Sequence, residues 1–332
     1  MSSFNFSELG PDMILDAIES LGVYPESGLL ALNSYENRVY QFRADDQLKY
    51  VVKFYRPERW TNEQILDEHQ FALHLDSEDI PVVPPLVING ETLFEYNNYR
   101  FCLYNSVGGR MFENDNLDQL EWLGRLLGRF HKASGVKKFN NRSTINFRPE
   151  FAEARAELQQ SDFIPSYLKN TFFHDLDMLI DETLTRLDQS SAEYDVIRLH
   201  GDCHAGNILW QSHGDQDDAI LVDLDDCLNG PAIQDLWMML NGDRQQQMLQ
   251  LDTLVTAYEE FNEFNTAELS LIEPLRARRM VNYMAWLAKR WSDPAFPRNF
   301  SWFASDKYWE QQVLAIKEQI YSLREPPLKL GY

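Results

Sequence analysis

The sequence predicts an α+β fold of two lobes, and three observations point to it. The first hundred residues contain short β-branched and aromatic runs separated by turn residues, which is typical of a small sheet. From Asn116 onward, apolar residues recur at helical spacing over most of the chain. Between these regions, residues 107–109 read Val-Gly-Gly, and such glycines suit a hinge. We therefore expect a β-rich N-terminal lobe over residues 1–105 and a mainly helical C-terminal lobe over residues 106–332.

The composition limits the classes to which this protein can belong. The chain has 332 residues, of which 30 are basic and 52 acidic, so its formal charge is −22. This charge repels phosphate backbones and anionic lipid surfaces, and we expect neither nucleic-acid binding nor membrane docking. The sequence has no apolar run of about 18 residues, and its N-terminal segment lacks the features of an export signal. Its three cysteines form no CxxC pair, and we expect a cytoplasmic protein without disulfides.

The N-terminal lobe is predicted to contain two helices and several antiparallel strands. Apolar spacing predicts a helix over residues 11–21. Thr61, with Gln64 three positions later, forms a capping box that opens a second helix. The dipeptide Asn89-Gly90 is a strong hairpin signal. The segments with strand composition are residues 37–42, 48–55, 82–88, 91–96 and 99–104.

The C-terminal lobe is predicted to be helical with a few short strands. Two lobes joined by a hinge favour a cleft, which is a common place for small ligands to bind. The strands are expected at residues 196–199, 207–210 and 220–224, with His213-Gly214-Asp215 in the turn before the last. The segments with helical periodicity are residues 117–133, 148–160, 166–188, 232–240, 245–262 and 266–291.

The densest group of chemically versatile residues is the segment 200–207, which reads His-Gly-Asp-Cys-His-Ala-Gly-Asn. Four residues separate Asp202 from Asn207, and Asp223 follows on the next apolar strand. In protein kinases this spacing supplies an Asp that orients the attacking hydroxyl, then an Asn and a second Asp that hold Mg²⁺ against the ATP phosphates. A transition-metal site made of the two histidines and Asp202 is the alternative, but it leaves Asn207 and Asp223 unexplained.

An ATP site also needs a cation beside the phosphates, and Lys53 is the candidate. It lies late in an apolar strand, where the alternative is an edge lysine that reaches to water. Glu68 borders the buried stripe of the helix that follows, so it can hold Lys53 by ion pairing. Glu63 and Asp67 are the competing partners.

The loop that covers the phosphates is expected within residues 32–40, which contain no glycine. The G-x-G-x-x-G signature of protein kinases is therefore missing. The small polar residues Asn33 and Ser34 can still bring amide groups and a hydroxyl to a phosphate, and Arg38 can add charge. The alternative interpretation is a plain polar turn.

Together these residues resemble the aminoglycoside-phosphotransferase and choline-kinase-like branch of the protein-kinase-like fold. The pattern H-G-D-x-H-x-x-N is intact at residues 200–207, and the following apolar strand ends in Val222-Asp223. Within that branch the chain is similar, nearly from end to end, to a family of bacterial Ser/Thr protein kinases of stress responses. The stretches that carry this similarity are residues 32–40, 52–60, 199–210 and 293–297.

The resemblance implies an ATP- and Mg²⁺-dependent, non-specific serine/threonine protein kinase that acts in the cytoplasm as a monomer. The implied partners are ATP and protein substrates with Ser or Thr acceptors. One alternative is a kinase of the same branch that acts on an amino alcohol, a sugar or an antibiotic. Another is a pseudoenzyme, although the usual loss of a catalytic Asp or metal ligand has not occurred. The implied residues are catalytic Asp202, the proton acceptor, and Asp223; nucleotide-site Ser34, Lys53 and Glu68; and the Mg²⁺ ligands Asn207 and Asp223.

Three further features have competing interpretations. Cys203 adjoins Asp202, and a redox role competes with simple packing, which the lack of a clearly basic neighbour favours. The basic residues within 276–290 either bind an acidic substrate or pair with carboxylates. Trp286 could belong to a recognition surface, but it lies in an apolar helix, which favours packing in the core.

Overall fold

The computed structural model describes residues 6–190, 193–213 and 216–331, and the chain divides into two compact units. The first unit holds the residues up to Ser143 together with Ile197–Asn229 and Thr253–Glu263. The second holds Thr144–Val196, Gly230–Asp252 and the residues from Phe264 onward. The lobe boundary expected between residues 105 and 106 stays a prediction.

Within the described residues the secondary structure is a mixture of short strands and longer helices, as the α+β prediction requires. The strands are β1 (Leu30–Ala31), β2 (Arg38–Arg43), β3 (Lys49–Phe54), β4 (Phe94–Tyr96), β5 (Tyr99–Asn105), β6 (Arg110–Met111), β7 (Ile197–Leu199), β8 (Ile208–His213), β9 (Gln216–Leu221) and β10 (Leu228–Gly230). The α-helices are α1 (Pro11–Glu19), α2 (Asn62–Ser77), α3 (Leu117–Ser134), α4 (Phe147–Gln160), α5 (Lys169–Gln189), α6 (Ile233–Leu236), α7 (Arg244–Tyr258), α8 (Ile272–Arg290), α9 (Ala295–Asn299) and α10 (Asp306–Arg324).

The first unit is built on an antiparallel sheet with the strand order β1-β2-β3-β5-β4. Successive residues of a strand point to opposite faces of the sheet. On β3, Val52 and Phe54 therefore join the apolar core that includes α1. Val51 and Lys53 point to the other face, where they line a cavity. The alternation of β3 thus places a lysine next to a ligand-sized space.

Helix α2 begins where the sequence predicts it. The Thr61 hydroxyl accepts a hydrogen bond from the backbone N–H of Gln64, and the Gln64 side chain accepts one from the backbone N–H of Thr61. This reciprocal capping satisfies two donors that a helix start leaves unpaired. Seven residues after this cap, Glu68 is buried.

The strand predicted over residues 82–88 is wrong, because this segment forms only isolated bridges such as that of Pro85 with Tyr104. Its prolines lack the N–H that a ladder needs. The turn at Asn89-Gly90 does form, with positive φ at both residues. However, the next hairpin of the main sheet is β4–β5, which turns at Asn97 and Asn98, both also at positive φ.

Most of the other predicted elements are present, with shifted ends. The predicted helix over residues 232–240 is shorter than expected and continues from α6 into a 3-10 turn. The sequence interpretation missed β10 and the long helix α10, although Ser305 caps α10 by accepting a hydrogen bond from the backbone N–H of Tyr308. Gly214 and Asp215 of the predicted turn lie outside the described residues.

The second unit is a set of helices held together by an aromatic core. Helix α4 packs on α8, and α5 packs on α10. The ring of Trp309 lies 5.4 Å from that of Phe172 and 5.2 Å from that of Phe303, measured between centroids. Trp286 packs against Phe296 at 4.9 Å, as expected for a core residue.

The basic residues of α8 pair with acidic side chains of the same unit. Arg276 contacts Glu273, and Arg278 contacts Glu150. Lys289 lies 3.2 Å from Glu153. These contacts favour the pairing interpretation of the basic cluster over an acidic-substrate site. In the part of the chain that the structure describes, no helix is both long and apolar enough to cross a membrane.

Candidate active site

A cavity of about 290 Å³ lies in the first unit and gathers most of the predicted site residues. Lys53 and Glu68 approach it from β3 and α2, and Ser34 from the loop before β2. Asn207 and Asp223 lie along its wall, next to β8 and β9. Ser34 and Asp223, which are 189 positions apart in the sequence, thus line the same cavity.

Lys53 and Glu68 form a buried ion pair, with 3.3 Å between Nζ and Oε1. The competing partners are elsewhere. Glu63 is exposed, and Asp67 accepts hydrogen bonds from the backbone N–H and side-chain amide of Asn141. The edge-lysine alternative does not hold either, because Lys53 is buried.

Asp225 is a second partner of Lys53 that the sequence interpretation did not single out. Its Oδ1 lies 2.9 Å from Lys53 Nζ, closer than the Glu68 carboxylate, and it is buried. Arg59 binds its other oxygen, Oδ2, and also binds Asp226. The only hint in the sequence was the Leu-Asp that follows Asp223 where protein kinases have Phe-Gly.

The charges around Lys53 keep it protonated. Burial lowers the pKa of Lys53, but the carboxylates of Asp225 and Glu68 raise it by more than burial lowers it. The pKa of Lys53 therefore lies well above its ordinary value. Burial likewise raises the pKa of Asp225, and the cations Lys53 and Arg59 outweigh it and hold that pKa below its ordinary range. Lys53 is therefore a fixed cation in the cavity lining, and Asp223 lies 3.5 Å from its Nζ as a third carboxylate partner.

Arg142 was also missed, and it connects three segments of the first unit. Its Nη2 donates to Oε2 of Glu68 at 3.0 Å, and its Nε donates to the carbonyl oxygen of Gln64 at 2.7 Å. Its Nη1 donates to the carbonyl oxygen of Asp225. Nothing in the polar stretch around Arg142 signals this role, because all three acceptors are distant in the sequence.

The loop at residues 200–207 is held in place by a hydrogen bond from its first residue, His200. His200 is buried, and its Nε2 lies 3.0 Å from the carbonyl oxygen of Val222, to which it donates. Gly201 has φ of +86°, and a Cβ there would overlap the carbonyl oxygen of Asp226. Only glycine fits such a backbone without strain. His200 therefore acts as a structural brace.

Asp202 is joined to the cavity wall through Asn207. The side-chain Nδ2 of Asn207 donates to the carbonyl oxygen of Asp202 at 3.0 Å, and the backbone N–H of Val222 donates to the carbonyl oxygen of Asn207. Asp223 follows directly and adopts a left-handed conformation with φ of +63°. Such backbone strain in a non-glycine residue is typical of functional sites.

Asn207 and Asp223 both line the cavity, and each has an oxygen that can hold a cation. Because Nδ2 of Asn207 is used by Asp202, its Oδ1 is the atom left to face an ion, and the Asp223 side chain is 58% exposed. One amide oxygen and one carboxylate suit Mg²⁺, which keeps several waters or phosphate oxygens as further ligands. Among the described residues, no group of three or more His, Cys, Asp or Glu side chains is arranged for a metal. The transition-metal alternative is thus not supported.

The glycine-free loop before β2 is held by arginines. Asn37 is buried, and its Oδ1 accepts a hydrogen bond from the backbone N–H of Arg56. Arg56 donates in turn to the carbonyl oxygens of Glu36 and Tyr35. Arg38 also donates to loop carbonyl oxygens, so its guanidinium supports the loop. These bonds shape a loop that glycines shape in protein kinases.

The cysteines are packing residues in this structure. Cys203 is fully buried, as are Cys102 and Cys227. Burial raises the pKa of Cys102 to about 12, which disfavours the reactive thiolate. The packing interpretation of Cys203 is the one that its burial favours.

Comparison with known proteins places these features in a family. The chain matches the family described as "Phosphotransferase enzyme family" over residues 29–272. It is 51% identical over 329 residues to Stress response kinase A of Escherichia coli O157:H7, covering 99% of this chain and 98% of that protein. It is 49% identical, with the same coverage, to serine/threonine protein kinase RdoA of Salmonella typhimurium strain LT2. A solved complex of amicoumacin kinase hAmiN with AMP-PNP, Ca²⁺ and Ami has a TM-score of 0.71 at 17% identity, over 97% of this chain and 95% of that chain.

These similarities cover most of the chain. The structural likeness shows the shared kinase-like fold of a β-sheet lobe and a helical part. The sequence relatives are named as kinases, and the match covers nearly their whole length. The predicted resemblance is confirmed, and the chain belongs to the phosphotransferase enzyme family.

Proposed function

We propose that this protein is an ATP- and Mg²⁺-dependent kinase that phosphorylates Ser or Thr residues of proteins, in a bacterial stress response. One observation carries the proposal. Lys53, Asn207 and Asp223 line a single cavity, so a fixed cation and two oxygen donors for a metal face the same space. A triphosphate needs both kinds of group, because its charges repel any approach that does not neutralise them.

Lys53 is proposed to contact the phosphates of ATP. Its charge is maintained by Asp225 and Glu68, and these carboxylates also hold its Nζ in one position. Ser34 and the amides of its loop are proposed to cover the phosphates, since they line the same cavity. The apolar side chains of Val39, Val51 and Leu209 line it too and suit the flat base of a nucleotide.

Asn207 and Asp223 are proposed to hold Mg²⁺ through an amide oxygen and a carboxylate. When bound, Mg²⁺ neutralises phosphate charge in the ground state and in the transition state. The Asp223 side chain is largely exposed and lines the cavity, which supports a role in ligand binding over packing.

Asp202 is proposed to orient the acceptor hydroxyl and to take up its proton as the hydroxyl oxygen attacks the γ-phosphorus. Its main chain is held by Asn207 and by the N–H of His204. The proposed catalytic carboxylate and the proposed metal ligand Asn207 are therefore parts of one hydrogen-bonded loop. This arrangement retains what a pseudoenzyme usually loses.

The acceptor class rests on the sequence relatives. RdoA is named as a serine/threonine protein kinase, and it is 49% identical over 99% of this chain. The alternative is a small-molecule kinase, because amicoumacin kinase shares the fold. At 17% identity that likeness carries no information about the acceptor, so the protein-kinase proposal has the stronger support.

The test is phosphate transfer from γ-labelled ATP, with and without Mg²⁺. Myelin basic protein serves as a protein acceptor, and a panel of amino alcohols, sugars and aminoglycosides represents small acceptors. Labelling of protein Ser or Thr, and none of the panel, is the expected result. Transfer only to a member of the panel would establish the alternative, and ATP binding without any transfer would favour a pseudoenzyme.

Two variants test the assigned roles. Asp202→Asn keeps the size of the side chain and removes its basic oxygen, so kcat should fall about 10²–10⁴-fold while ATP affinity changes little. Lys53→Ala should lower kcat and also weaken ATP binding, measured by calorimetry. The control is Asp188→Asn, which removes an exposed carboxylate that pairs with Arg148 in the second unit. Normal turnover of Asp202→Asn would refute the proton-acceptor role.

A further inference from the structure

The side chain of His204 has a defined position within the proposed catalytic loop. It precedes the 3-10 turn Ala205–Asn207, and its Nδ1 accepts a hydrogen bond from the backbone N–H of Gly206 at 3.0 Å. The imidazole lies directly on Gly206, because a Cβ at that position would be 2.8 Å from the ring carbon Cε1. The ring therefore has both a hydrogen bond and a close contact that define where it lies.

The hydrogen bond to Gly206 also defines the tautomer of His204. A neutral imidazole carries one N–H and one acceptor nitrogen. Since Nδ1 is the acceptor, the proton is on Nε2, and Nε2 lies 3.4 Å from Oδ2 of Asp202. The N–H therefore faces the carboxylate that we propose as the proton acceptor.

We propose that His204 is a positioning residue for phosphate transfer, which donates its Nε2–H to Asp202 and holds the plane of that carboxylate for the acceptor hydroxyl. This inference rests on the proposed function. An aspartate side chain can rotate about χ1 and χ2. Asn207 and the backbone N–H of His204 hold the main chain of Asp202, and the imidazole of His204 faces its side chain. Small displacements of a reacting group are costly, since about 1 Å can lower a rate 10²-fold.

A purely structural role predicts something different. As the residue that caps the turn, His204 would only stabilise the loop through Gly206. His204→Asn separates the two roles, because Asn is a good capping residue whose oxygen can accept from the Gly206 N–H. Its side chain ends too early to replace the ring nitrogen at Asp202. His204→Gln keeps an acceptor and adds reach, so it should restore part of what Asn loses.

The experiment is a double-mutant cycle with Asp202→Asn. It measures kcat and KM for ATP with γ-labelled ATP and myelin basic protein, records ATP hydrolysis in parallel, and takes Tm as a folding check. We expect His204→Asn to lower kcat about 10-fold, to leave KM for ATP within about two-fold, and to have almost no further effect in the Asp202→Asn background. His204→Gln should lie between His204→Asn and the natural protein.

Three results would overturn the inference. One is a normal kcat for His204→Asn. Another is an equal loss of kcat when His204→Asn is made in the natural protein and in Asp202→Asn, because His204 would then not act through the Asp202 carboxylate. A loss of Tm in both His204 variants together with a raised KM for ATP would indicate a structural cap only. A normal kcat for Asp202→Asn refutes the proposed proton acceptor and the inference together, whereas a loss there with none in His204→Asn refutes the inference alone.

Discussion

Arg142 donates a hydrogen bond to Oε2 of Glu68 at 3.0 Å. Lys53 binds the other oxygen of the same carboxylate, so Glu68 is held by a cation on each side. The bond to Arg142 makes the position of Glu68, and with it that of Lys53, depend on a loop that follows α3.

Replacing Arg142 should damage both stability and turnover. Arg142→Met leaves Glu68 with one cation and leaves the carbonyl oxygens of Gln64 and Asp225 without their donor. Breaking a buried pair costs about 3–5 kcal/mol, and Lys53 should lose its fixed position, which lowers kcat. Chemical denaturation and kcat are the measurements. The control Arg148→Met removes an exposed ion pair and should change neither by much; equal effects of the two variants would contradict the prediction.

Removing the Asp223 carboxylate should abolish the response to Mg²⁺. In the proposed site, Asp223→Ala would leave Asn207 alone to hold Mg²⁺, so phosphate charge would stay uncompensated. We expect loss of turnover at all Mg²⁺ concentrations and weaker binding of Mg·ATP, with little change in Tm, because the side chain is largely exposed. Titration of activity and of ATP binding with Mg²⁺ tests this. Near-normal activity that still depends on Mg²⁺ would show that the metal is held elsewhere.

Adding a single methyl group at Gly201 should destabilise the first unit. Gly201→Ala places a side chain at φ of +86° and against the carbonyl oxygen of Asp226. We expect a loss of at least about 2 kcal/mol, measured by denaturant unfolding. Gly108→Ala is the matched control, because a Cβ there meets nothing within 4 Å. If both alanines were equally tolerated, the result would contradict the left-handed conformation assigned to residue 201.

The stability of the second unit should depend on the pH through Glu268. This residue is buried and accepts a hydrogen bond from the N–H of Ile233 at 2.8 Å. Burial raises its pKa to about 7, although hydrogen bonds from Ile233 and Ala232 act in the opposite direction. A raised pKa means that the folded state binds the proton more tightly than the unfolded state. The stability from this binding is fully present below the ordinary pKa of 4.5 and is lost as the pH rises through about 7.

Glu268→Gln should therefore flatten the pH dependence of unfolding by about 2 kcal/mol between pH 5 and pH 8. The amide oxygen of Gln can still accept from Ile233, so the capping contact is retained. Glu318→Gln, on the exposed side of α10, is the control and should follow the natural protein. A pH profile of Glu268→Gln that matched the natural protein would contradict the assignment.

Local patterns in the sequence determined several elements of the fold and part of the candidate site. The capping box of Thr61 and Gln64 placed the start of α2, and the strand alternation of β3 put Lys53 on the face opposite the apolar core. The motif at residues 200–207 identified the loop that carries Asp202 and Asn207. These features are readable because each depends on hydrogen bonds or side-chain directions within a few residues of the chain.

The sequence was less informative where a segment depends on its surroundings. Residues 82–88 have the apolar character of a strand, but their prolines remove donors, and the sheet pairs β5 with β3 and β4 instead. Asn97 and Asn98 make the turn of the β4–β5 hairpin in that sheet, while the Asn89-Gly90 turn closes on only one isolated bridge. Which of two possible turns becomes a hairpin depends on which strands find partners.

Only the tertiary structure decided what holds Lys53. Glu68 meets Arg142 across 74 positions of the sequence, and Asp225 meets Arg59 across 166. No periodicity or spacing rule connects residues so far apart, and an arginine in a polar loop has the same appearance whether it faces water or a buried carboxylate. Burial makes the difference, because a buried charge must find an opposite charge, and burial exists only once β3, α2 and the loops after α3 and β9 have come together.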